Sequence, residues 1–272
     1  MKRQAAVAGH FYMGDRDGLQ RQVSDMVEDQ QQKVKVLGAV CPHAGFIYSG
    51  KVAGAVYSRI QWPSCIILIG PNHTGLGERF AIMSKGQWEF PTHTFDIDES
   101  MAEMLVKSSV LLKDDPIAHS YEHSLEVQLP FVAHFSTDVK IVPITVLHAS
   151  IQECNQVGTA IARVVQMAIT NKDVKDVVII ASSDMSHYVT DQEARYKDNL
   201  AIEKILNMDP EGLYKVVREE HITMCGVLPV AVMLYACIEL GATKTELVKY
   251  TTSAETSGDY NHVVGYAGML IR

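Results

Sequence analysis

Three apolar runs in this sequence each stop at a loop that carries a histidine. VKVLGAVCPHAG ends at Pro42–His43–Ala44–Gly45, CIILIGPNHTG ends at Pro71–Asn72–His73–Thr74–Gly75, and DVVIIASSDMSHY ends at Asp184–Met185–Ser186–His187. Imidazole is both a metal ligand and a proton-transfer group near neutral pH. Open α/β sheets bind ligands beyond the carboxyl ends of their strands, so histidines in equivalent strand-end positions are placed to converge on one cleft. Gly and Pro beside the first two permit the tight turns that aim a side chain inward. A lone loop histidine is as readily a cap or a surface group; it is the threefold repetition that points to a site. Asp184 reads either as a helix cap or as the partner that orients an imidazole or acts on a substrate proton.

Other chemistry-bearing residues divide by their surroundings. Cys225 lies in TMCGVLPVAVMLYACIEL, where a buried structural thiol is the ordinary reading. Gly226 and Pro229 suggest instead a loop entering a helix, whose N-terminus would lower the thiol pKa and favour the thiolate. His123, between Glu122 and Glu126 in YEHSLEVQLPF, reads as support for a site rather than as a ligand. His148 ends the run IVPITVLHA, and His10, ahead of Phe11 and Tyr12, could pack over the cleft. His93, His119, His134, His221 and His262 read as solvated or satisfied core groups. Phe11, Tyr12, Phe46, Tyr48 and Tyr188 could stack on a planar ligand or simply pack in the core. The chain has no HExxH, no GxxxxGK[ST], no GxGxxG and no GxSxG, which disfavours zincin, P-loop, dinucleotide-binding and α/β-hydrolase chemistry.

The elements that must position these residues alternate short β-branched runs with longer helical patterns, the signature of a layered α/β sandwich. Strands are predicted over Val34–Cys41, Cys65–Ile69, Arg79–Ser84, Lys140–Leu147, Asp176–Ser182, Leu247–Ser253 and Val264–Ile271. Helices are predicted over Asp17–Asp29, Gly50–Ile60, Ser100–Ser108, Ser124–Phe135, Ile151–Thr170, Asp191–Met208, Pro210–Glu220 and Gly226–Leu240. Asp17 and Asp209 suit N-caps, Pro210 suits a first helical position, Ser124 a capping start, and Gly241 a left-handed C-cap.

Composition sets the outer bounds. A chain of 272 residues, 47% hydrophobic, is long enough for one α/β domain spanning 1–272. A net charge of −8, from 24 basic and 32 acidic residues, argues against a nucleic-acid backbone or an anionic membrane as partner. The opening MKRQAAVAGHFYMG lacks an apolar signal-peptide core, and runs such as CIILIG are too short to span a bilayer. Five cysteines without a CxxC pair make no disulfide framework, and a cytoplasmic location is expected.

Taken together, PHAGFIYSG (Pro42–Gly50), GPNHTG (Gly70–Gly75), EHSLEVQLPF (Glu122–Phe131), SSDMSHY (Ser182–Tyr188) and MCGVLPV (Met224–Val230) resemble the blocks of the Memo-like family, which includes the AmmeMemoRadiSam system protein B. The N-terminal AGHFYMGDRDGL resembles the family's opening, and the blocks fall in the family's order along nearly the whole chain. The family is similar in fold to the class III extradiol dioxygenases of the LigB type. That resemblance implies a three-layer α/β/α sandwich with a mixed central sheet and a mononuclear metal site in a strand-end cleft. It implies His43 and His73 as metal ligands, with Cys225 where the dioxygenases place a glutamate, and His187 as the catalytic acid/base beside the metal, with Asp184, in the same block, as a second catalytic candidate. A thiolate in place of a carboxylate softens the site, suiting iron or copper, or zinc.

Three functions are therefore open. One is a metal-dependent, dioxygenase-like oxidoreductase. A second is a hydrolase with Cys225 as nucleophile, His187 as base and Asp184 orienting it. The third is a non-catalytic binding or signalling scaffold. The expected partner is a small molecule or peptide in the cleft, and the family name implies a functional link to a radical-SAM protein.

Overall fold

The continuously apolar strand runs require cover on both faces of a sheet, as parallel strands usually have. The computed structural model describes residues 1–28 and 30–272. Among these, nine strands form one mixed sheet. Its order is His187–Val189, Val263–Ile271, Gly38–Cys41, Val177–Ser182, Cys65–Pro71, Lys140–Val146, Phe80–Ile82 and Leu112–Asp114, with Thr245–Thr252 also paired to Val263–Ile271. The four strands from Gly38–Cys41 to Lys140–Val146 are mutually parallel. Antiparallel pairing then begins on either side, at Val263–Ile271 and at Phe80–Ile82. Every residue of Cys65–Pro71 and Val177–Ser182 is buried.

Helices Ile151–Thr170 and Val227–Glu239 pack on each other over one face, with Glu99–Ser108 and Pro210–Glu219 beside them. Helices Phe46–Tyr57, Leu129–Phe135 and Arg16–Ser24 cover the other face. Two glycines record how close these layers come. A Cβ on Gly38 would lie 2.7 Å from both Cys237 Sγ and Met233 Sδ, and one on Gly268 would lie 2.5 Å from Val56 on the opposite layer. The architecture is a three-layer α/β/α sandwich with a mixed sheet.

Local chemistry explains where the long helices begin and end. Ser150 and Glu153 form a reciprocal capping box at the start of Ile151–Thr170. Asp209 caps Pro210–Glu219, and Gly241 follows Val227–Glu239 with φ of 88°. Other boundaries differ from the sequence expectation. The first long strand starts at Gly38 rather than Val34, because Gly38 is the first residue with ladder partners on both sides, while Val34 forms only an isolated bridge to Ile60. The first helix is Arg16–Ser24, capped by Asp15 through the Gly18 amide rather than by Asp17; the expected end at Asp29 lies outside the described residues. Ser124 does not cap a helix, since its hydroxyl donates to the Pro71 carbonyl, and regular helix begins only at Leu129 after a 3₁₀ turn. A small second sheet of Lys2–Arg3, Gln87–Phe90 and His93–Asp96 was not expected.

Candidate metal centre

Sheet order places the histidine loops together. Gly38–Cys41 and Cys65–Pro71 flank Val177–Ser182 in parallel, so the loops bearing His43 and His73 start about 10 Å apart, two strand spacings. Each side chain then reaches over the end of the intervening strand. The imidazole centroids of His43 and His73 are 5.2 Å apart. His123 joins them from the loop before the Glu126–Gln128 turn, 4.7 Å from His73 and 5.5 Å from His43. One ligand-type nitrogen from each of the three can be chosen so that all lie within 4.8 Å of one another.

Hydrogen bonds fix two of these rings and their tautomers. The Ser182 hydroxyl donates to the Ser124 carbonyl at 2.7 Å and accepts from Gln128 Nε2 at 2.9 Å. Its one proton being committed, Ser182 Oγ can only accept from His43 Nδ1–H, 2.8 Å away. The lone pair of His43 therefore sits on Nε2, facing the cluster. Glu122 does the same for His73, accepting from the backbone N–H at 2.5 Å and from Nδ1–H at 3.0 Å. Metal-binding histidines are ordinarily oriented by such a second hydrogen bond.

Charge in the cluster follows from burial. Desolvation, with His73 and His123 as like-charged neighbours, holds His43 well below the usual imidazole range. Desolvation lowers His123 too, against the opposing pull of Glu122. Burial pushes the Glu122 carboxyl up, but hydrogen bonding and charge from His73, the Ser124 amide and His123 outweigh it and leave it at about 2. The result is that His43 and His123 are pushed toward the neutral form beside an ionised Glu122 carboxylate, and a neutral imidazole is the form that can bind a cation.

The remaining expected residues surround this group. Cys225 Sγ is 3.3 Å from His43 Nε2 and accepts the Asp184 amide at 3.3 Å, so it stands beside the three-histidine group rather than among its mutually close atoms. Burial and the Asp184 charge push its thiol well above the ordinary range, contrary to the helix-terminus expectation; the helix itself starts only at Val227, behind the Gly226 cap. Asp184, raised by its own burial, accepts from the His43 backbone N–H at 2.8 Å, with its other oxygen 4.0 Å from His43 Nε2. It thus braces the His43 loop. His187 is half-buried, and its Nδ1–H donates to the Thr223 carbonyl at 2.9 Å, leaving Nε2 as a proton acceptor.

His10 is exposed; its neighbour Phe11 packs on His123 with centroids 4.7 Å apart. His148 is exposed as well. His119 is fully buried, with Nε2 3.1 Å from the Ala81 carbonyl. A cavity of about 590 Å³ between the first helix and Leu129–Phe135 shares no residue with the cluster, so donor chemistry, not cavity size, marks the site. From sequence His123 reads as support for a site, at a helix start between Glu122 and Glu126, whereas the structure puts it in the loop ahead of Glu126–Gln128 and within the imidazole group. The adjacent Glu122–His123 pair in an apolar context was its available signal.

Fold and site together define a mixed α/β sandwich with an imidazole cluster at the carboxyl edge of its parallel strands. The chain belongs to the Memo-like protein family, whose model matches residues 3–270. A MEMO1 family protein of Methanosarcina barkeri is 42% identical, with 99% of each chain covered. One from Aquifex aeolicus is 40% identical, with 98% of each covered. An uncharacterized protein of Escherichia coli superposes with a TM-score of 0.55 over 87% of this chain and 100% of that one, at 12% identity, and so shares the fold. Among the described residues, no helix is long and apolar enough to cross a membrane.

Proposed function

We propose that this protein is a metal-dependent, dioxygenase-like oxidoreductase whose ion is held by His43, His73 and His123. The observation that carries this reading is the convergence of three imidazole nitrogens within 4.8 Å, two of the rings being locked by Ser182 and Glu122. Neutral nitrogen donors suit iron or copper, with zinc also compatible. A bound ion of this kind supplies Lewis acidity and, for iron or copper, one-electron chemistry. His187 would take a proton from a substrate hydroxyl through Nε2, its orientation set by Thr223. Asp184 would hold the His43 loop and add negative charge beside it. Tyr188, 77% exposed next to His187, offers a stacking surface for a small planar molecule or a peptide side chain.

The 3.3 Å contact between Cys225 Sγ and His43 Nε2 supports a second reading, in which Cys225 replaces His123 as third ligand once the thiol is deprotonated. A Cys225-nucleophile hydrolase is less well supported, since burial keeps that thiol protonated and the nearest base is His43 rather than His187. Anaerobic protein loaded with Fe(II) or copper is the test material. Oxygen uptake with a phenolic substrate, reduced about 10²–10⁴-fold in His187→Ala, is expected. Loaded protein that neither consumes oxygen nor redox-cycles would refute the oxidoreductase.

A further inference from the structure

The cavity of about 590 Å³ away from the histidine cluster lies between two facing helix stripes. Arg16, Leu19, Gln20 and Val23 fall at the i, i+3, i+4 and i+7 spacing of one face of Arg16–Ser24, and Pro130, Ala133 and His134 follow the same spacing on Leu129–Phe135. The hairpin of Gln87–Phe90 and His93–Asp96 adds Thr92 and His93 from its turn. A space of this size holds a small organic molecule.

The lining is sorted by chemistry. Leu19, Val23 and Pro130 are buried and give the cavity an apolar floor. Its ionisable groups are all basic, namely Arg16, His93 and His134, and no carboxylate lines it. That sign runs against a chain with 32 acidic and 24 basic residues. The acidic neighbours of Arg16 in sequence are directed elsewhere: Asp15 accepts the Gly18 amide at 2.8 Å as the helix cap, and Asp17 does not line the cavity. Edge contacts seat both imidazoles beside the cavity, His93 against Phe95 at 4.6 Å and His134 against Phe135 at 4.7 Å between ring centroids.

We infer that this cavity is a second site, which binds a small organic anion: a carboxylate or phosphate on the Arg16 guanidinium, within reach of N–H groups of His93 and His134, with an apolar body on Leu19, Val23 and Pro130. A guanidinium presents a planar fork of donors that matches either anion, and an imidazole donates an N–H whether neutral or charged. The site shares no residue with the histidine cluster, so it stands whatever ion or reaction that cluster supports.

The test is fluorine NMR of para-fluorobenzoate, para-fluorophenyl phosphate and the uncharged para-fluorobenzyl alcohol, each titrated into the chelator-treated full chain so that no bound metal captures the anion. Saturable binding of at least one anion, about tenfold or more tighter than the alcohol, is expected, and which anion binds separates carboxylate from phosphate. Arg16→Gln should weaken that anion about tenfold and leave the alcohol within about twofold. Gln20→Trp, which fills the cavity from an exposed helical position, should abolish anion binding. Failure of both anions to bind, an alcohol that binds as tightly as they do, or wild-type anion affinity in either variant would overturn the inference.

Discussion

Replacing Glu122 by Gln disturbs the His73 wing of the site through one buried group. The carboxylate faces three N–H donors: His73 N–H, His73 Nδ1–H and the Ser124 amide at 2.8 Å. An amide of the same shape must turn its NH₂ toward at least one of them. The magnitude follows from the carboxyl's position at about 2 instead of its ordinary 4.5, which corresponds to about 3 kcal/mol favouring the ionised, folded form. A group depressed in this way stabilises the fold fully above the unfolded value of 4.5, and the stabilisation is lost as pH falls toward 2. Glu122→Gln, measured by urea unfolding of chelator-treated protein, is therefore expected to lose about 2–3 kcal/mol at pH 7. It should also lose much of the stability slope between pH 4.5 and 2. Loss of the His73 brace should weaken metal binding by about 10–100-fold. A variant within about 0.5 kcal/mol of wild type, with an unchanged acid limb, would refute the reasoning.

Three other buried contacts give measurable effects of their own. Cys225, held protonated by burial and the Asp184 charge, should alkylate slowly with iodoacetamide at pH 7, followed by mass spectrometry; fast stoichiometric labelling would revive the nucleophile. Gly38→Ala forces a methyl to within 2.7 Å of Cys237 Sγ and Met233 Sδ and should cost about 1–3 kcal/mol in a denaturant titration. Glu126→Gln leaves Arg3 buried without its charge partner and should destabilise by about 3–5 kcal/mol, read as a lowered urea midpoint.

The part of the fold visible in sequence is the part governed by local pattern. The buried strands from Cys65, Lys140 and Asp176 stand out because they are apolar on both faces. The helix Ile151–Thr170 matches its expected limits because its helical pattern is long and unbroken, and the structure closes its start with a capping box. The hairpin of Gln87–Phe90 and His93–Asp96 is less legible: four-residue strands carry little periodicity, and Trp88 and Phe90 find their burial only through tertiary contact. The site divides in the same way. His43, His73 and His187 are legible as strand-end loop residues, whereas the positions of His123, Glu122 and Phe11 are set by a long connection and an N-terminal segment that meet only in three dimensions. Cys225 shows the limit of a motif argument, for a helix N-terminus says nothing of the desolvation that governs its thiol.

The identity of the third ligand can be read directly by elemental analysis of protein purified anaerobically without chelator, comparing wild type with His43→Ala, His73→Ala, His123→Ala and Cys225→Ser. About one equivalent of iron or copper per chain in wild type and in Cys225→Ser, lost in each histidine variant, is the predicted result. Metal retained in His123→Ala and lost in Cys225→Ser would contradict the three-histidine centre and establish the thiolate set, and no metal in the wild type after reconstitution would contradict the metal centre altogether.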